Sequence, residues 1–87
     1  MSKESPVQLQ SIVFDKKQGW NLRKARKYLL RNGYKADKPY ESSQFITYKQ
    51  NKMDRRKYYY KFYSWGDGVS SIDGFIEKDL HYPPQKE

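Results

Sequence analysis

Lys57-Tyr58-Tyr59-Tyr60-Lys61-Phe62-Tyr63-Ser64-Trp65 runs into Gly66-Asp67-Gly68 and then Val69–Ile76, and this stretch decides the fold. Aromatic residues favour the half-buried surface of a sheet, so 57–65 predicts a strand. Gly66-Asp67-Gly68 predicts a tight turn, and Val69–Ile76 returns as the second arm of a hairpin. Side chains alternate across a strand. Tyr58, Tyr60 and Phe62 therefore share one face, and Lys57, Tyr59, Lys61, Tyr63 and Trp65 share the other.

Working outward, Gln44–Lys49 predicts a strand that reaches the hairpin through the polar turn 51–56. Towards the N-terminus, Val7–Phe14 mixes alternation with the apolar run Ile12-Val13-Phe14, which also suits a strand. Asp15–Gly19 reads as a turn. Asn21 is a good N-cap for a helix over 22–32, and Gly33 is a natural residue just past its end. Tyr34–Ser43, broken by Pro39 and Ser42-Ser43, predicts a loop. The order β-α-β-β-β implies an α+β fold of two layers, one helix packed on a small, mainly antiparallel sheet. Tyr58, Tyr60 and Phe62 are expected beneath Leu22, Ala25 and Leu29, which leaves the lysine–aromatic stripe partly exposed. Residues 1–82 are expected to form a single domain, with 83–87, containing Pro83-Pro84, as an extended tail.

Eighty-seven residues support one modest core. Leu, Ile, Val and Phe number only 16, but nine tyrosines and two tryptophans bring large buried areas of their own. The absence of cysteine excludes disulfides and Cys-based zinc sites. His81, the one histidine, excludes a multi-His metal site. No apolar run is long enough to span a membrane, and MSKESPVQLQ lacks the apolar stretch of a signal peptide. The expected setting is a cytoplasm or a virion, without secretion.

Charge is unevenly placed. Residues 16–61 hold 15 Lys/Arg against Asp37, Glu41 and Asp54, a net of +12 within a chain of +8. A middle this basic points to a polyanionic partner. The helix carries Arg23, Lys24, Lys27 and Arg31 opposite Leu22, Ala25 and Leu29, and no acid lies between Asn21 and Gly33. Arg23 and Lys24 even occupy the first turn, where the macrodipole disfavours cations by a few tenths of a kcal/mol, roughly. A helix shaped by stability alone would not be built so.

Alternating cations and rings on an open sheet face are what single-stranded nucleic-acid binders use. Tyr59, Tyr63 and Trp65 are the candidate stacking rings. Arg55, Arg56, Lys57 and Lys61, with the helix cations, are the candidate phosphate contacts. The same rings could serve as core or as an interface, including self-association through the aromatic sheet face. The same basic face could meet an acidic protein surface, such as a capsid protein. Large exposed apolar anchors opposite the helix charges are missing, which argues against a membrane surface.

No catalytic constellation is visible, and the chain reads as non-enzymatic, without a cofactor. Asp67 and Asp73 precede glycines and read as turn residues. Asp73, Glu77 and Asp79 could reach a divalent cation only as the weakest alternative.

Ile12-Val13-Phe14-Asp15-Lys16, Trp20, Ala25, Tyr28-Leu29, Asn32-Gly33-Tyr34 and Phe45-Ile46-Thr47-Tyr48-Lys49-Gln50 together form a pattern. On these residues Ser11–Gln50, about half the chain, resembles a small module of tailed-phage and giant-virus proteins. That module sometimes occurs near the prohead protease and other head-assembly proteins. The chain departs from it at Asn21, at Thr47 and in the basic stretch 51–57. The resemblance implies a viral setting, a virion or head-assembly role, and Trp20, Tyr34 and Phe45 as core residues.

Overall fold

A computed structural model describes residues 7–76. These residues form an α+β fold, with one helix and a five-stranded antiparallel sheet among them. In chain order the elements are β1 (Val7–Asp15), α1 (Leu22–Arg31), β2 (Pro39–Glu41), β3 (Phe45–Lys49), β4 (Tyr58–Gly66) and β5 (Val69–Ile76). A single 3-10 turn, Lys16–Gln18, links β1 to α1. The spatial order β2-β3-β1-β5-β4 puts β1 at the centre and β4 at an edge.

Each helix end is closed by local chemistry. Asn21 Oδ1 accepts the Lys24 backbone N–H at 2.9 Å, satisfying one unpaired donor of the first turn. At the other end Gly33 adopts φ 80°, its N–H donates to Leu30 O, and the Tyr34 N–H donates to Leu29 O at 2.8 Å. This pair of reversed bonds stops the helix and turns Tyr34 back towards the sheet.

Ile12 and Phe14 of β1, Ile46 and Tyr48 of β3, Val69 of β5, and Ala25 and Leu29 of α1 form the core. Fully burying a side chain of this size contributes about 1.5–3 kcal/mol. Trp20 and Tyr28 flank Phe14, with ring centroids 4.8 and 5.7 Å from it. Trp20 also donates from its indole N–H to Asp67 O at 2.7 Å, tying the start of the helix to the β4–β5 turn. That turn has φ 54° at Asp67 and 80° at Gly68, the twist that matches two antiparallel strands.

Four features of the fold, besides the facing of β4, differ from the sequence reading. Pro39–Glu41 forms a fifth strand inside the expected loop; all three residues are exposed, so no alternation marks them, and an edge position tolerates proline. Phe45, expected in the core, lies on the sheet face away from α1 and is 37% exposed. Leu22 is 40% exposed, whereas Ala25 and Leu29 are buried. Asp73-Gly74 is neither turn nor bulge of its own strand but pairs in register with Lys61-Tyr60. The expected tail 83–87, His81, Glu77 and Asp79 lie outside the described residues.

Candidate nucleic-acid interface

The two faces of β4 are the reverse of those expected. Tyr63 pairs with Ser71, and Ser71 pairs with the core residue Ile12, so Tyr59, Lys61 and Tyr63 lie on the face that carries α1. Tyr58, Tyr60 and Phe62 lie on the far face with Ile72, Gly74 and Ile76. Neither set goes under the helix, because α1 packs on β1 and β3 while β4 is two strands away from β1. Alternation separates two sets of side chains; the central strand decides which set faces the helix.

The consequence is that the lysine–aromatic stripe and the cationic helix share one side of the sheet. Trp65 links them. Its indole N–H donates to Ser71 Oγ at 3.0 Å, and its ring lies 6.0 Å from that of Tyr34, just past the end of α1. At helical spacing Lys24, Lys27 and Arg31 form one row. Lys24 lines a shallow cavity with Trp20 and Asp67, so this row runs along the flank of the helix nearest the β4–β5 turn. Arg26, on the opposite flank, is also exposed, but its guanidinium donates to Ala36 O at 2.7 Å. Arg23, Lys24, Lys27 and Arg31 are all exposed, and none has an ion-pair partner among the described residues. The ion pair seen there is Lys16–Glu41, at 2.9 Å.

A bulge at Ser64/Gly66 shifts the hairpin by one residue. Phe75 thereby falls opposite Tyr59, stacked on it at 5.4 Å and 30°, and lies 6.2 Å from Tyr63. Tyr59, Phe75, Tyr63, Trp65 and Tyr34 thus make a run of rings about 20 Å long from Tyr59 to Trp65. Lys61 sits within it, its Nζ 6.0 Å from the Tyr59 ring. Opposite Lys61 is Asp73, whose Oδ1 is buried without a hydrogen-bond partner among the described residues.

The remaining predicted residues separate from this run. Lys57 directs its Nζ to the ring of Tyr58, on the far face, at 5.7 Å. Arg55 lines a cavity with Met53, Tyr58, Tyr59 and Tyr60, at the end of β4 remote from Trp65. Arg56 belongs to the same turn, organised by Asp54: Asp54 Oδ1 accepts the Arg56 N–H, and the Asp54 N–H donates to Tyr60 Oη at 2.7 Å. Lys57, Arg55 and Arg56 therefore extend the basic surface beyond the stripe's other end.

The sequence reading passed over Phe75 and four lysines, and it expected Tyr34 only as a core residue; Tyr34 does pack against the core. Lys35, Lys38, Lys49 and Lys52 line one open cleft with Tyr40 and a single acid, Asp37. Gln50 holds its walls together: the side-chain carbonyl accepts the Lys35 N–H and the amide donates to Lys35 O, both at 2.8 Å. This cleft lies at the β2–β3 edge, across the sheet from β4. Gln50 closing the strand–loop junction is legible only once β3 and the loop are known to be neighbours.

No group of three or more His, Asp or Glu close enough to hold a metal ion occurs among the described residues, and no helix there is long and apolar enough to cross a membrane. Searches against protein-family models, curated proteins and solved structures find no match.

Proposed function

We propose that this is a small basic, non-enzymatic protein that binds nucleic acid through phosphate contacts and aromatic stacking on the helix-bearing face. The observation that carries the reading is the juxtaposition made by Trp65: a row of unpaired helix cations and a run of rings on one side of one sheet. Bases stacked on Tyr59, Tyr63 and Trp65 would contribute about 1–3 kcal/mol each. Lys24, Lys27, Arg31 and Lys61 would neutralise the backbone alongside. Rings beside a shallow flank suit an unpaired strand, whose bases are free to stack, better than a duplex. The Ser11–Gln50 resemblance adds a viral setting to this reading.

The test is binding of purified protein to fluorescent single- and double-stranded DNA and RNA across a salt series. Affinity that falls steeply and linearly in log salt, strongest for single strands, supports the reading. Absence of binding at low salt overturns it, and turns the basic face towards an acidic protein surface such as a capsid interior.

A further inference from the structure

The outer edge of β4 is a nine-residue strand that no element covers among the described residues. Edges of this length are usually blunted by charge, proline or a covering segment. Here Tyr58–Gly66 contains no proline and only one charge, Lys61, and its bulge is confined to the turn end, at Ser64/Gly66. Its far-face residue Phe62 is 61% exposed, and its helix-side residues Tyr63 and Trp65 are 41% and 40% exposed. The opposite edge, β2, is three residues long and begins with proline.

We infer that β4 pairs antiparallel with β4 of a second copy of this chain, about a two-fold axis through Phe62. This inference does not rest on nucleic-acid binding. Two strands related by a two-fold axis normal to the sheet must have a residue on the axis, facing its own symmetry mate. Phe62 is the midpoint of Tyr58–Gly66 and its most exposed large apolar residue, and an axis there keeps Tyr60–Ser64, short of the bulge at Ser64/Gly66, in regular pairing. This register sets Phe62 against Phe62, Lys61 against Tyr63 and Tyr60 against Ser64, and brings Tyr59 up to Trp65 at the bulge. Each of these is neutral or favourable: ring on ring, and a cation beside a ring. Sliding to an axis at Lys61 would place two ammonium groups directly opposite, which is unfavourable. Charge thus excludes the neighbouring register, and the exposure of Phe62 selects this one. Side chains directly opposite in an antiparallel pair lie on the same face, so both helices fall on one side of a continuous sheet. The two runs of rings then join across the axis through Tyr59 and Trp65.

The test uses the full chain. Sedimentation equilibrium should show a mass that doubles with rising concentration, and Phe62→Lys, which sets two lysines against each other on the axis, should keep it monomeric. Phe62 is exposed, so circular dichroism of that variant should match the parent. The register has its own readout because the chain lacks cysteine. Opposed residues in an antiparallel pair have Cα atoms about 4.5–5.5 Å apart, within disulfide range. Mild oxidation should therefore cross-link Phe62→Cys into a covalent dimer at least ten-fold faster than Ser64→Cys, whose partner is Tyr60. A chain that stays monomeric at millimolar concentration overturns the inference. So does a dimer that survives Phe62→Lys, or one in which Ser64→Cys cross-links as fast as Phe62→Cys.

Discussion

The indole N–H of Trp65 donates to Ser71 Oγ at 3.0 Å, which fixes the last ring of the β4 stripe on the side of the sheet that carries α1. Ser71 is itself buried and pairs with Ile12 at the centre of the core. The ring is thus anchored by its polar edge while 40% of the residue remains exposed. An aromatic held this way is preorganised, because little rotamer freedom is left to lose when a ligand stacks on it.

Phosphate contact by the helix predicts a change in salt dependence. Replacing Lys24, Lys27 and Arg31 together with Ala should weaken nucleic-acid binding for every sequence. The slope of log K against log salt should become shallower by roughly 2–3, about 0.7–0.9 for each cation removed. Alanine is the better helix former, so thermal stability should not fall. Fluorescence anisotropy over a salt series measures the slope; an unchanged slope would remove α1 from the interface.

Gln50 predicts a stability effect separate from binding. Gln50→Leu leaves the N–H and C=O of Lys35 without the partners they have at 2.8 Å. An unmade bond at a fully buried site costs about 1–3 kcal/mol, and these are part-buried, so the lower end, about 1 kcal/mol, is expected. For a domain of this size each kcal/mol lowers Tm by about 4–8 °C. Thermal unfolding measures the loss, which should appear without any change in the salt slope of the helix-side interface.

The β4–β5 turn predicts a contrast between two glycines. A Cβ on Gly68 would lie 2.5 Å from Gln18 Cβ and 3.2 Å from Trp20 Cδ1, at a φ of +80°. A Cβ on Gly66 would meet nothing, at a φ of +95°. Both Ala variants bear the left-handed backbone penalty, about 1–2 kcal/mol. Gly68→Ala should be the less stable of the two in urea, because Gln18 and Trp20 must also move.

Tyr48 predicts an alkaline limit. Burial holds its hydroxyl above the ordinary 10.0; Arg26 opposes the shift and Glu41 adds to it. The folded chain therefore keeps this proton where the unfolded chain releases it. Its contribution to stability is complete below pH 10 and is lost as pH rises above that value. Denaturant unfolding between pH 8 and 11 should show the parent losing stability relative to Tyr48→Phe only above about pH 10. A constant difference across that range would contradict the assignment.

Much of the architecture was legible from local signals. Asn21 and Gly33 bracket α1, and the runs at Val7, Phe45, Tyr58 and Val69 become strands within a residue of expectation. What stayed hidden depends on relations between segments. An unbulged Asp67-Gly68 hairpin would set Phe75 opposite Tyr60; the bulge at Ser64/Gly66 moves it opposite Tyr59 and creates the run of rings. A single extra residue in one strand leaves no mark in its composition. The side of β4 that faces α1 was likewise set by Ile12 and Phe14, far away in sequence. The lysine cleft joins Lys35 to Lys52 through Gln50, a contact between segments that no periodicity reveals.

The most direct test of the helix-side interface is an NMR titration of the labelled chain with a short single-stranded oligonucleotide at low salt. Binding on the helix side should concentrate the shifts at Tyr59, Lys61, Tyr63, the Trp65 indole and the Lys24–Arg31 row, with Ser70, Ile72 and Gly74 on the far face unmoved. Shifts confined to that far face, or none at all, would contradict it.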